Sequence, residues 1–251
     1  MSTEVKKPSP EATILPAPES RAGADLARRL RPLMGKAAGS LVIHEIYRSL
    51  QGESTFAGLP CVFIRLTACH LRCVYCDTPH AFHEGRVVVL EDVVEQALAL
   101  GDDLVEITGG EPLLQAEVFP LMSRLADLGK TVLLETSGAV DTSRVDPRVR
   151  IILDLKTPGS GEESANVWHN LDRLKRIDEV KLVLCDRRDF DWAVAVVREH
   201  RILERCPVLF SAVAGKVNPT ELAAWILETR LPIRLQLQLH KILWDPMARG
   251  V

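Results

Sequence analysis

No run of this sequence approaches the roughly 18 consecutive apolar residues that a membrane-spanning helix requires, which excludes that class of protein. Neither sign of charge dominates. With 31 Lys and Arg against 34 Asp and Glu the net charge is −3, which gives no reason to expect a nucleic-acid or anionic-membrane partner. The N-terminal stretch lacks the apolar core of a secretory signal, and Glu4, Glu11 and Glu19 are foreign to an organelle transit peptide. A cytoplasmic protein is therefore the expectation. Cysteine is scarce as well, at six in 251 residues. In a reducing compartment structural disulfides are rare, so grouped thiols point to metal or redox chemistry. Three of the six are grouped, as Cys69, Cys73 and Cys76 in "CHLRCVYC", with no fourth cysteine to complete the set.

What is present is the composition of a soluble globular protein, 47% hydrophobic and 26% charged, long enough for one large domain or a domain plus a tail. Residues 1–40 stand apart. Five prolines with scattered Ser and Gly block regular structure over much of the stretch, which reads as a mobile N-terminal arm. Within it "GADLARRLRPLMG" (23–35) has the pattern of a short amphipathic helix stopped near Pro32.

From 41 to 251 apolar runs of strand length alternate with helical patterns. Strands are expected at 41–47, 61–66, 104–108, 131–136, 150–155, 180–185, 207–211 and 233–238, and helices near 90–100, 115–128, 189–200 and 219–229. Hydrophobic strands of this kind read as parallel and covered on both faces, so the fold class is α/β, an open or partial TIM-like barrel. The strands end in "TGGEP" (108–112), "ETSG" (135–138), "DLKTP" (154–158), "CDRRD" (185–189), "SAV" (211–213) and "QLH" (238–240). Polar and glycine residues at that rim mark the place where α/β barrels build active sites, and the cysteine loop follows strand 61–66 onto the same rim.

Three thiolates have three uses. They bind zinc, with His70, His80 or His83 as a fourth ligand. They bind three irons of a 4Fe–4S cluster and leave the fourth iron open. Cys73 and Cys76 also form a C-x-x-C that can cycle through a disulfide. Cys61, Cys185 and Cys206 stand alone and read as buried hydrophobes.

With "GGEP" one strand–helix unit downstream, the C-x3-C-x-aromatic-C motif resembles the radical S-adenosylmethionine (SAM) superfamily. That resemblance implies a 4Fe–4S cluster on Cys69, Cys73 and Cys76, whose vacant iron takes the amino and carboxylate groups of SAM. It implies SAM contacts from Tyr75, Gly110, Glu111, Ser137, the Asp154-Leu155-Lys156 stretch and Ser211. Glycine lets backbone approach the cosubstrate closely, and the Glu111 carboxylate suits its ammonium.

Within the superfamily, "EIYRSLQGES" (45–54), Arg65, "CDT" (76–78), "ITGGEP" and "LQLHKILW" (237–244) resemble the 7-carboxy-7-deazaguanine synthases. The resemblance implies conversion of 6-carboxy-5,6,7,8-tetrahydropterin to 7-carboxy-7-deazaguanine by radical ring contraction with loss of ammonia. Leu50, Gln51, Gly52, Glu53, Arg65, Thr108, Gln238 and His240 would meet the pterin, and Thr78 would hold a Mg2+ beside it. It further implies an electron donor such as flavodoxin or ferredoxin, and a homodimer. Ser54 departs from the glycine that many relatives carry after "QGE". A glycyl-radical-enzyme activase shares the cysteine, "GGEP" and "DLK" features without needing "SLQGE", Arg65 or Thr78. A zinc-stabilised binding module without catalysis is the reading from a different class.

Overall fold

The protein, described by a computed structural model over residues 21–245 and 248–250, is built on one nine-stranded sheet. The strands are β1 (Ser40–Leu50), β2 (Pro60–Leu66), β3 (Arg86–Val89), β4 (Leu104–Gly109), β5 (Thr131–Thr136), β6 (Arg150–Leu155), β7 (Glu179–Leu184), β8 (Val208–Ala212) and β9 (Arg234–Gln236). Their order is β3-β1-β2-β4-β5-β6-β7-β8-β9, so the sheet stays open between β3 and β9. Residues 1–20 of the stretch read as an arm lie outside the described residues. Residues 21–30 of that stretch form α1 (Arg21–Leu30), followed by a 3-10 turn at Arg31–Leu33, and Arg29 donates to the His70 carbonyl at 2.6 Å.

Alternation along the strands sorts residues onto two faces. Val62, Ile64 and Leu66, Val105 and Ile107, Val132 and Leu134, Leu153 and Leu155, Leu182 and Leu184, and Phe210 form one buried core on the helix side. Onto it pack α2 (Leu90–Ala99), α3 (Val118–Asp127), α4 (Arg187–Glu199) and α5 (Pro219–Thr229). In α2 the buried positions Leu90, Val93, Val94 and Ala97 make one helical stripe, and Glu91 and Asp92 in the first turn offset the helix dipole. Asp186 caps α4 and Asn218 caps α5, with Pro219 at the first helical position. Each large side chain so buried contributes about 1.5–3 kcal/mol. Truncating Ile107 or Leu121, both fully buried, to alanine removes about 2–5 kcal/mol.

Two expectations are corrected. β1 runs antiparallel to both β2 and β3, and only the run from β2 through β9 is parallel. And the strands are not covered on both faces by helices. The second face has a small dry cluster of Cys61, Phe63, Leu104, Leu133 and Ile152, joined by Tyr47 and Phe56. Beyond that cluster it carries charged and polar side chains. The expected helix at 115–128 starts at Val118, because the Gln115 backbone is extended (φ −106°, ψ 114°) after a 3-10 turn at Pro112–Leu114, while its side-chain amide donates to the Val42 carbonyl and accepts from the Val42 N–H. Cys61 and Cys206 are buried as expected, whereas Cys185 is half-buried and donates to the Gly159 carbonyl at 3.3 Å.

One irregularity shapes β1. Ile43 pairs with Leu66 but Glu45 pairs with Arg65, so His44 is an extra residue in the ladder, a β-bulge. It switches the alternation, letting Ile43 face the helix-side core while Glu45 faces the opposite side with Arg65.

Candidate active site

The open face of the sheet gathers Arg65 from β2, Glu106 and Thr108 from β4, Glu135 from β5, Asp154 from β6, Lys181 from β7 and Ser211 from β8. Each sits at the parity opposite to the apolar core. Lys181 is the hub. Its Nζ lies 2.7 Å from Glu53, 3.6 Å from Asp154 and in direct contact with Glu135. Burial by itself would lower the Lys181 pKa, but Glu135, Glu53 and Asp154 outweigh it and hold the ammonium well above its ordinary range. Lys156 behaves alike: burial opposes its charge, and Asp154 at 3.0 Å outweighs that and raises it. Glu106 is placed differently. Burial first, and then Glu135, push its carboxyl well above the usual range while the Gln51 amide donates to it.

The loop after β2 carries the three thiols. Cys69 is buried, and Cys73 and Cys76 are half-buried. A turn closes from Cys76 N–H to the Cys73 carbonyl at 3.1 Å, and Val74 N–H donates to Ser160 across the rim. Burial, with Glu111 second, pushes the Cys69 thiol up to about 12, and burial also raises Cys73. Among the described residues, the three sulfurs do not form a set lying within 4.8 Å of one another. A single zinc ion with about 2.3 Å bonds needs sulfurs closer than that, whereas a four-iron cube takes one thiolate at each of three corners.

The "GGEP" turn packs directly under this loop. Gly110 N–H donates to Leu66 and Glu111 N–H to Ala68, and a β-carbon on Gly110 would lie 2.1 Å from the Ala68 oxygen and 2.9 Å from the Cys69 β-carbon. Glycine is required there by contact with the cysteine loop itself. The buried Glu111 carboxylate accepts from Leu113 N–H, the Thr136 hydroxyl, and both the N–H and hydroxyl of Ser137. Those four bonds fill its acceptor positions, so a SAM ammonium would have to displace one of them. Ser137, expected to face SAM, meets Glu111 through both its N–H and its hydroxyl.

Among the described residues, four buried side-chain polar atoms have no hydrogen-bond partner: the Tyr75 hydroxyl, Asp154 Oδ1, Ser211 Oγ and His70 Nδ1. An unsatisfied buried polar group costs about 1–3 kcal/mol, so such atoms mark a place for a polar ligand. Three of the four are residues expected to contact SAM. Leu155, also expected there, buries its side chain in the helix-side core, so only its backbone is available to a ligand.

The residues expected to meet a substrate fall into two groups. Arg65 Nε lies 2.8 Å from Glu45, and its Nη2 donates to the Tyr47 hydroxyl. Both neighbours raise the Arg65 pKa against the opposing effect of burial. Thr108 donates to Glu135 at 3.2 Å. The other group sits where the turn after Leu50 meets the segment after β9. Gln51 accepts from Glu53 N–H, Gln238 donates to Glu53 at 2.8 Å, and Leu239 N–H donates to Gly52. His240, which opens α6 (His240–Leu243), packs so closely that a β-carbon on Gly52 would lie 2.6 Å from its Nδ1. Lys241 then ties Gln238 to Asp77, which burial alone would raise but Lys241 holds below its usual pKa. Thr78 follows, half-buried, with its hydroxyl 3.8 Å from Cys76 Sγ.

Lys181, Glu135, Glu106 and Glu45 join the site without being expected there from the sequence. A signal for the first three existed, since each is a charge within an otherwise apolar strand, as in "VEIT", "LLET" and "EVKLVL", where Glu179 and Lys181 alternate with apolar residues.

A radical SAM superfamily profile matches residues 63–161. The chain is 46% identical to the 7-carboxy-7-deazaguanine synthase of Chlorobaculum tepidum, over 84% of this chain and 97% of that one. It is 45% identical to that of Koribacter versatilis (83% and 99% covered) and 40% identical to that of Methanospirillum hungatei (83% and 88% covered). Among solved structures, QueE from Escherichia coli superposes with a TM-score of 0.65 at 24% identity, over 78% of this chain and 92% of that one, a likeness of fold.

Proposed function

Since the chain belongs to the 7-carboxy-7-deazaguanine synthase family of radical SAM enzymes, we propose that it converts 6-carboxy-5,6,7,8-tetrahydropterin to 7-carboxy-7-deazaguanine with loss of ammonia. The observation that carries the reading is the set of unpartnered buried atoms, Tyr75 hydroxyl, Asp154 Oδ1 and Ser211 Oγ, beside three free thiols.

Cys69, Cys73 and Cys76 suit a 4Fe–4S cluster, which when bound supplies the electron that cleaves SAM and so starts the radical chemistry. Gly110 leaves room for SAM to lie against the backbone. Asp154 offers it a charged acceptor and Tyr75 and Ser211 offer hydroxyls, with Lys156 holding the other Asp154 oxygen. Glu111, Ser137 and the Leu155 backbone complete that wall. Arg65 presents a guanidinium to the pterin carboxylate while Glu45 and Tyr47 hold its Nε and Nη2. Leu50, Gln51, Gly52 and Glu53 form one side of the pterin pocket, Thr108 its floor, and Gln238 and His240 its cover. Thr78 gives Mg2+ one neutral oxygen. The neighbouring Asp77 is held by Lys241, so the remaining ligands come from substrate and water. The chain's own contribution is placement and exclusion of water. A homodimer in the cytoplasm, supplied by a flavodoxin- or ferredoxin-type donor, is part of the same proposal, as is a product destined for queuosine or another 7-deazapurine.

Anaerobic reconstitution followed by mass spectrometry of the products from the pterin tests it. Formation of 7-carboxy-7-deazaguanine is expected. 5′-Deoxyadenosine without a deazapurine would reject the substrate, and one zinc per chain with no iron or sulfide would reject the chemistry.

A further inference from the structure

The β1 bulge has a second effect, on the side chains of His44 and Glu45. Consecutive residues of a regular strand point to opposite faces, but at a bulge two adjacent residues oppose one, and both can turn to the same side. The short 3-10 turn Pro79–Phe82, just past the cysteine loop, brings His80 to the same spot, with its ring 4.9 Å from that of His44. One nitrogen from each histidine and one Glu45 oxygen lie within 4.8 Å of one another, and among the described residues no other His, Cys, Asp or Glu triplet does so.

We propose that His44, Glu45 and His80 form a three-ligand site for a borderline divalent ion, zinc being the archetype. Two imidazoles and a carboxylate are a known zinc set that leaves a fourth position for water. They are a poor set for magnesium, which prefers oxygen throughout, so this site is separate in chemistry from any ion at Thr78. His44 Nδ1 lies 2.9 Å from the Glu84 carbonyl, which can only accept, so Nδ1 carries the proton and the Nε2 lone pair is left for a ligand. Fixing the tautomer through such an outer hydrogen bond is the common way to prepare a histidine ligand. Glu45 gives one oxygen to Arg65 and has the other free to bind, since a carboxylate can serve both. A tetrahedral ion with bonds of about 2.0–2.1 Å needs ligand atoms about 3.4 Å apart. The three groups are half-buried, and the site requires their side chains to rotate inward to that spacing. Two cations stand nearby and weaken the site without filling it. Arg65 is held by Glu45 and Tyr47, and Arg249 is held by Glu84 at 3.0 Å.

The test uses the full chain with its cluster loaded under anaerobic conditions, so that the three cysteines are occupied. Zinc sulfate is added by titration calorimetry, and zinc and iron are counted by mass spectrometry after dialysis. The expected result is one zinc per chain with iron unchanged, not displaced by millimolar magnesium. X-ray absorption at the zinc edge should show nitrogen and oxygen ligands only. His80→Asn and His44→Gln should each weaken zinc binding at least about tenfold. His80→Asn leaves β1 untouched, so the outcome does not hinge on a strand substitution. No uptake, uptake at the expense of iron, sulfur ligands, or equal affinity in a folded His80→Asn chain would each overturn the assignment. The result is independent of which reaction the cluster serves, because zinc and iron are counted without turnover.

Discussion

Lys181 is a single ammonium with three carboxylates around it, and it is the residue whose loss the open face tolerates least. Lys181→Met would leave the half-buried Glu53 and Glu135 without their buried cation; breaking a fully buried pair costs about 3–5 kcal/mol, and a loss toward the low end of that range is expected here. Chemical denaturation should show it, with Lys181→Arg recovering part of the loss. Glu106 poses the opposite problem. Its folded pKa is raised above the unfolded value, so the stability tied to its proton is complete below the unfolded pKa near 4.5 and is lost as pH rises through the folded value. Glu106→Gln keeps an acceptor for Gln51 and removes that loss. Its denaturation midpoint should exceed the parent's at pH 8, with the margin closing toward pH 5. Gly110→Ala drives a methyl group into Ala68 and Cys69. A penalty of about 1–3 kcal/mol is expected, together with reduced iron content after reconstitution. At this scale the sequence was legible where function writes a local pattern. Cys69, Cys73, Cys76 and the glycines of "GGEP" announce themselves by spacing. Lys181 and Glu135 show only as charges inside apolar strands, and their pairing joins residues 46 apart in the chain, which spacing does not reveal. Ser54 is a smaller case of the same kind: its φ of 62° is left-handed, which is why glycine suits that position and serine is a departure.

Among the elements, the strands of the parallel run and the helices packed on them could be read from apolar periodicity, and their observed bounds differ from the expected ones by a few residues. The direction of β1 could not be read that way, yet a second clue existed. Only residues 51–59 join β1 to β2, too few for the crossover of a dozen or more residues that parallel neighbours require. β3 escaped notice because four residues at a sheet edge carry almost no periodic signal. The turn at 51–59 does more than connect. Ser54 N–H donates to Gln236, Thr55 N–H to Glu179, and Phe56 packs into the dry cluster, so the turn seals the end of the open face opposite the cysteines. Its neighbour Gly52 must stay bare for His240 to seat. Gly52→Ala should lift the 238–244 segment away, and hydrogen exchange of those amides should rise by about tenfold or more while the parallel strands keep their protection.

At the scale of the whole molecule, the sheet is open, and the segment after β9 spans the gap through Leu239 to Gly52, Gln238 to Glu53 and Lys241 to Asp77. A chain ending at Gln236 retains all nine described strands, Cys69, Cys73 and Cys76, and Arg65 with its Glu45 and Tyr47 partners. It should still load iron and bind SAM, but pterin turnover should fall by about a hundredfold or more, since positioning errors of an ångström cost that much. Anaerobic product analysis beside iron counting would separate the two effects.

That bridging segment is translated after every strand it closes. During synthesis the nascent sheet therefore emerges from the ribosome with its interior bare on one flank, and iron delivered before residues 238–244 have emerged would meet an unroofed basin exposed to oxygen. Maturation of the metallocentre is best served by waiting until that segment is in place.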